Sequence, residues 1–120
     1  MTGKLVVATA LAAALGTAAL AAGPAGDGKA QYLKHCGACH GPAGKGDGIA
    51  GTFMRPKPAD LTAIARENGG KFPLERTIDV IDGRHTVRAH GDPDMPVWGG
   101  AIPRASIRAI AEYLATIQEH

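Results

Sequence analysis

The run Cys36-Gly37-Ala38-Cys39-His40 constrains this chain more tightly than any other feature of its 120 residues. Two thiols separated by two residues, with an imidazole directly after the second, admit three chemistries. The spacing favours haem attachment, because two thioethers can fix a porphyrin by its edge while the adjacent imidazole reaches the iron. A disulfide between Cys36 and Cys39 would close so small a loop that it constrains the unfolded chain little. A redox pair of the thioredoxin kind belongs just after a strand, at a helix start. Here the preceding residues read as helix, and no run of β-branched strands occurs. Zinc needs about four donors, and Cys36, Cys39 and His40 crowd together without an evident fourth.

The chain opens with one positive side chain, Lys4, followed by the uncharged, alanine- and leucine-rich run Leu5 to Ala22. Ala19-Leu20-Ala21 then offers the small-x-small pattern that a signal peptidase accepts. Residues 1–21 therefore read as a secretory signal peptide cleaved near Ala21. That leaves 22–120 as a single domain with its core over about 28–117. An uncleaved membrane anchor is the alternative, since the run approaches the ~17 to 25 residues that span a bilayer. Without Lys4 there are 12 Lys or Arg against 11 Asp or Glu, a balance lacking the basic excess of a nucleic-acid binder. Seventeen glycines and eight prolines leave few side chains for a core. A covalently held apolar cofactor would supply the missing area.

Helical patterning places the motif. Asp27 is a cap for a helix from Gly28 to about Cys36, with Gly28, Tyr32 and Cys36 on one face. "GPAGKGDGIAG", with five glycines between Gly41 and Gly51, reads as irregular loop. A second helix is expected from Asp60 to a stop at Gly69, burying Leu61, Ile64 and Ala65. A third begins near Pro73, turns Leu74, Ile78 and Ile81 inward and ends at Gly83, with Arg76 and Asp79 on its solvated side. The last follows Pro103 and carries the stripe Ile107, Ile110, Ala111, Leu114 and Ile117. Tyr113 beside that stripe is placed to pack near Gly28 and Tyr32.

Four short helices joined by glycine-rich loops, the Cys36 to His40 motif and the downstream "MPVWGG" of Met95 to Gly100 resemble the class I (monohaem) c-type cytochromes. The resemblance covers essentially Gly28 to Ile117. It implies a small all-α cytochrome c-like fold around one covalent haem c, electron transfer rather than enzymatic catalysis, and residence outside the cytoplasm, in the periplasm of a bacterium. It also implies that Cys36 and Cys39 form the thioethers and that His40 binds iron. A proline carbonyl, best matched by Pro58 and otherwise by Pro56, would accept a hydrogen bond from the other His40 nitrogen. Met95 is the expected sixth ligand, stiffened by Pro96 and shielded by Trp98. Met54 and a histidine are alternatives, because haem proteins use both kinds of axial donor.

Secondary roles follow from position and chemistry. His35 lies on the first helix, His85 and His90 are candidates to bond loop carbonyls or propionates, and His120 is terminal. Arg84 and Arg88 flank the methionine loop, where a guanidinium fork can pair with a propionate. Trp98 is expected first to pack on the haem. With the iron filled on both sides, function reduces to an exposed haem edge and a docking surface, to which Lys29, Lys34 and Lys45 are candidates. The expected role is a monomeric shuttle between partners such as a membrane quinol-oxidising complex, a terminal oxidase or a periplasmic reductase. The alternatives are a haem subunit of a dehydrogenase, nitrite reductase or terminal oxidase assembly, and a ligand-binding haem protein.

Overall fold

Asp27 accepts the Lys29 amide at 3.0 Å and so opens α1, Gly28–His35, by satisfying one of the unpaired amides of its first turn. In the computed structural model, which describes residues 2–3, 27–84 and 95–120, this helix crosses the last one at Gly28. A Cβ there would stand 2.2 Å from the Ala109 carbonyl oxygen, so only glycine permits the approach. One turn on, Tyr32 is fully buried. Its ring centroid lies 5.4 Å from that of Tyr113, and its hydroxyl donates to the Gly41 carbonyl at 2.6 Å. The expected meeting of Gly28, Tyr32 and Tyr113 is what joins the two ends of the described domain.

Cys36 ends α1, and α2, Gly37–His40, is a single turn carrying the second cysteine and the histidine. The glycine-rich stretch beyond it is not slack. Gly46 donates to the His40 carbonyl at 2.8 Å, Gly48 to that of Cys39 at 3.1 Å, and Leu61 returns to that of Gly44 at 2.7 Å. The path requires left-handed backbone at Gly41, Gly44 and Gly46, conformations that cost a residue with a Cβ. A 3-10 helix, Ala50–Phe53, follows.

The helix expected from Asp60 to Gly69 exists, but it is split. Asp60 caps it as anticipated, accepting from Thr62 N at 2.9 Å and from the Thr62 hydroxyl at 2.6 Å. Leu61–Ala63 is 3-10 helix, and only Ile64–Glu67, α3, is α-helix. The cause lies in the C-terminal segment. Gln118 Nε2 donates to the Leu61 carbonyl at 2.8 Å and its Oε1 accepts from Ala65 N at 2.7 Å. A side-chain amide thus occupies the backbone pair that would have continued one helix.

α4, Leu74–Asp82, starts after Pro73 and ends at Gly83, whose φ of 71° forms a left-handed cap. α5, Arg104–Thr116, buries Ile107, Ile110, Ala111 and Leu114, while Ile117 caps its end. These side chains meet Tyr32, Cys36, Ile78 and Ile81 in the core. Each fully buried isoleucine contributes about 1.5 to 3 kcal/mol relative to exposure. Five α segments, not four, stand among the described residues, because Cys36 interrupts the first. Among the described residues there is no strand beyond one isolated bridge, Gly99 to Ile102, so the domain is all-α. The expected signal segment lies almost wholly outside the described residues. Among those described, no helix is long and apolar enough to cross a membrane.

Candidate functional site

The helices enclose a cavity of about 610 Å³. Cys36, Cys39 and His40 border it, Thr77, Val80 and Ile81 of α4 form a second wall, and Met95, Val97 and Trp98 contribute from the loop before α5. Leu61, Ile64 and Leu114 keep it apolar. One sequence stretch therefore supplies the sulfur and imidazole groups, and segments far along the chain supply the enclosure.

His40 is 9% exposed, and its Nδ1 lies 3.0 Å from the Ala59 carbonyl oxygen. A carbonyl only accepts, so Nδ1 carries the proton and Nε2 is left with a lone pair for a metal. The expected partner was Pro58, and the structure corrects this by one residue. The Pro58 carbonyl is turned against Gly46, where a Cβ would stand 2.4 Å from its oxygen, and this leaves the next carbonyl for the imidazole. Pro58 itself still borders the cavity.

Cys36 and Cys39 are unpaired. Burial, with a smaller contribution from Cys39, pushes the Cys36 thiol up to about 11. Such a thiol is not a poised thiolate nucleophile. Among the described residues no three His, Cys, Asp or Glu side chains are grouped to hold a metal ion. The Met95 side chain is partly buried against the core, and both Met95 and Met54 border the cavity.

A family model for cytochrome c matches residues 25–118. The chain belongs to the cytochrome c family. No curated protein and no solved structure matched it in direct comparison. Family membership gives this cytochrome an electron-transfer role as a carrier and not as a catalyst, and implies a covalently bound haem c. The residues fit such a group: two free thiols, an imidazole with one nitrogen already committed to a carbonyl, and an apolar enclosure with thioether sulfur at its border.

Trp98 borders the cavity. Its backbone N–H donates to the Ile81 carbonyl at 3.3 Å, and its ring sits edge-on to His35 with centroids 4.9 Å apart. Arg84 departs from expectation. Its Nε and Nη2 donate to the two carboxylate oxygens of Asp82 at 2.8 and 2.9 Å, so its fork is occupied by a protein carboxylate, and it does not border the cavity. Arg76 does, because Arg76, Thr77 and Val80 fall on one face of α4 and that face, with Pro73 before it, borders the cavity. The periodicity of Leu74, Ile78 and Ile81 marked only the face toward α5. Lys45 is paired with Glu119 and donates to the Thr62 hydroxyl at 3.1 Å. His85, Arg88 and His90 lie outside the described residues. Sequence reasoning missed Ala59, Arg76 and Asp82; of these only Asp82, an acid just before a glycine stop and two residues before an arginine, carried a local signal.

Proposed function

We propose that the chain carries one haem c, attached through Cys36 and Cys39 and ligated by His40 and Met95, and serves as a periplasmic electron shuttle. When bound, the haem supplies a one-electron iron couple. The protein's residues do the rest. The Ala59 carbonyl orients His40, Thr77, Ile81 and Leu114 line the cavity from α4 and α5, and Met95 borders it from the loop before α5. The observation that carries the reading is the convergence on one cavity of two unpaired cysteines, a carbonyl-oriented histidine and Met95. Mass measurement of denatured protein from its native periplasm tests it. The expected species is the chain without residues 1–21 and with one haem retained through both cysteines; a haem-free chain with a Cys36 to Cys39 disulfide would refute it.

A second reading, a haem subunit of a dehydrogenase, nitrite reductase or terminal oxidase assembly, is favoured by Ile49 and Phe53. Both are 85% exposed around a turn whose Gly51 packs on the Cys39 carbonyl, and apolar side chains beside an electron-transfer site suit a lasting contact. Purification from the native periplasm separates the two. A free monomer supports the shuttle, and repeated copurification with one enzyme complex supports the subunit.

A further inference from the structure

The segment that carries Met95 leaves α4 at Gly83 and enters α5 at Arg104. Its two ends converge on one carboxylate. Asp82 is 1% exposed. Its Oδ1 accepts from Arg84 Nε at 2.8 Å and from the Arg84 amide at 3.3 Å. Its Oδ2 accepts from Arg84 Nη2 at 2.9 Å and from Arg104 Nη1 at 3.5 Å. Arg84 lies just inside the start of the segment and Arg104 just beyond its end, so one buried group ties both.

The middle of the segment is seated on the same group. Gly99 donates to the Asp82 backbone carbonyl at 2.8 Å, and a Cβ on Gly99 would stand 2.3 Å from both Asp82 Oδ1 and Arg84 Nε. The loop backbone therefore rests directly on the ion pair. Little slack separates this seat from Met95. Pro96 has a fixed φ, Val97 packs on Gly83, and the Trp98 ring abuts that of His35.

We propose that Asp82 is the clasp of the Met95 loop, a positioning residue whose carboxylate, held by Arg84 and Arg104, sets how firmly Met95 is presented to the cavity. The inference rests on the Met95 ligation proposed above. Among the described residues every side-chain partner of this carboxylate stands at an end of the loop and none in the Tyr32, Ile78 and Ile107 core, so its loss acts on the loop before it acts on the fold. An amide at this position gives up the charge-assisted hydrogen bonds to both guanidiniums and turns an NH2 donor toward groups that only donate, which is why it does not substitute for the acid.

The test is binding of imidazole to the oxidised, haem-loaded protein, where entry to the sixth position waits for the loop to open. Wild type is compared with Asp82→Asn, with Arg84→Gln, and with Arg108→Gln, which breaks the exposed pair to Glu75 at 2.8 Å and serves as control. Wild type should show the weak far-red sulfur-to-iron band. Asp82→Asn and Arg84→Gln, with haem still attached and helicity by circular dichroism unchanged, should bind imidazole about tenfold faster or more, the size expected from loss of a charge-assisted hydrogen bond. The control should match wild type. Should Asp82→Asn fail to mature, Arg84→Gln decides alone, since its side chain is half exposed and its removal leaves Asp82 with Arg104. Wild-type rates in these variants, with the band present, would overturn the clasp by itself. A wild type without the band would overturn the Met95 reading and the clasp with it.

Discussion

His40 donates from Nδ1 to the Ala59 carbonyl across 3.0 Å, and the direction of that carbonyl is set by a third residue, Gly46. A Cβ on Gly46 would stand 2.4 Å from the Pro58 oxygen and 3.2 Å from that of Ala59, at a φ of +79°. The substitution Gly46→Ala should therefore push both carbonyls away and weaken the bond to His40. A less basic imidazole favours ferrous iron, so the midpoint potential should rise by a few tens of mV, where about 59 mV corresponds to a tenfold change in relative affinity for a one-electron couple. Potentiometric titration of the variant checks this; an unchanged potential would show that the Ala59 contact does not tune the ligand.

Asp82 gives the fold a signature in acid. Hydrogen bonds from Arg84 hold its carboxyl down to about 2 against the opposing effect of burial, whereas an unfolded aspartate titrates near 3.9. A depressed acid stabilises the fold fully above its unfolded value and loses that contribution as pH falls through the folded one. Thermal midpoints of wild type should fall between about pH 4 and 2, and those of Asp82→Asn should fall less steeply over the same window. Some slope should survive in the variant, because Thr62 hydrogen bonds lower Asp60 as well. Equal slopes in the two proteins would place the acid sensitivity elsewhere.

Gln118 joins the C-terminus to a turn more than fifty residues away in sequence. Gln118→Ala removes a donor from the Leu61 carbonyl and an acceptor from Ala65 N. The expected cost is about 1 to 3 kcal/mol, the range for leaving a part-buried polar group unsatisfied. Denaturant unfolding of the holo-protein measures it. A loss well below that range would mean that Leu61 and Ala65 relax into continuous helix.

Much of this arrangement was legible from local chemistry. The Cys36 to His40 spacing, the Asp27 and Asp60 caps, the Gly83 stop and the Ile107 to Leu114 stripe each depend on neighbours within one or two turns, and each appears in the structure. The placement of Tyr113 against Gly28 and Tyr32 was also readable, because a glycine and an aromatic one turn apart are a small-and-large pair suited to a crossing. What escaped depends on distant segments. The split at Ile64 is imposed by Gln118, the choice of Ala59 over Pro58 by Gly46, and the capture of Arg84 by the burial of Asp82 beneath Gly99. Arg76 is exposed as its position predicts, and that it also borders the cavity was not legible because a helix wall facing a cofactor-sized cavity need not repeat the apolar period of the wall facing a helix.

Met95 supplies the sulfur proposed to ligate the haem iron together with His40. The most direct measurement is the optical spectrum of the oxidised wild-type protein near neutral pH, followed by exposure of the reduced protein to carbon monoxide. With both axial positions filled by His40 and Met95, the weak far-red sulfur-to-iron band should be present and carbon monoxide should bind slowly or not at all. Absence of that band together with rapid carbon monoxide binding would contradict it.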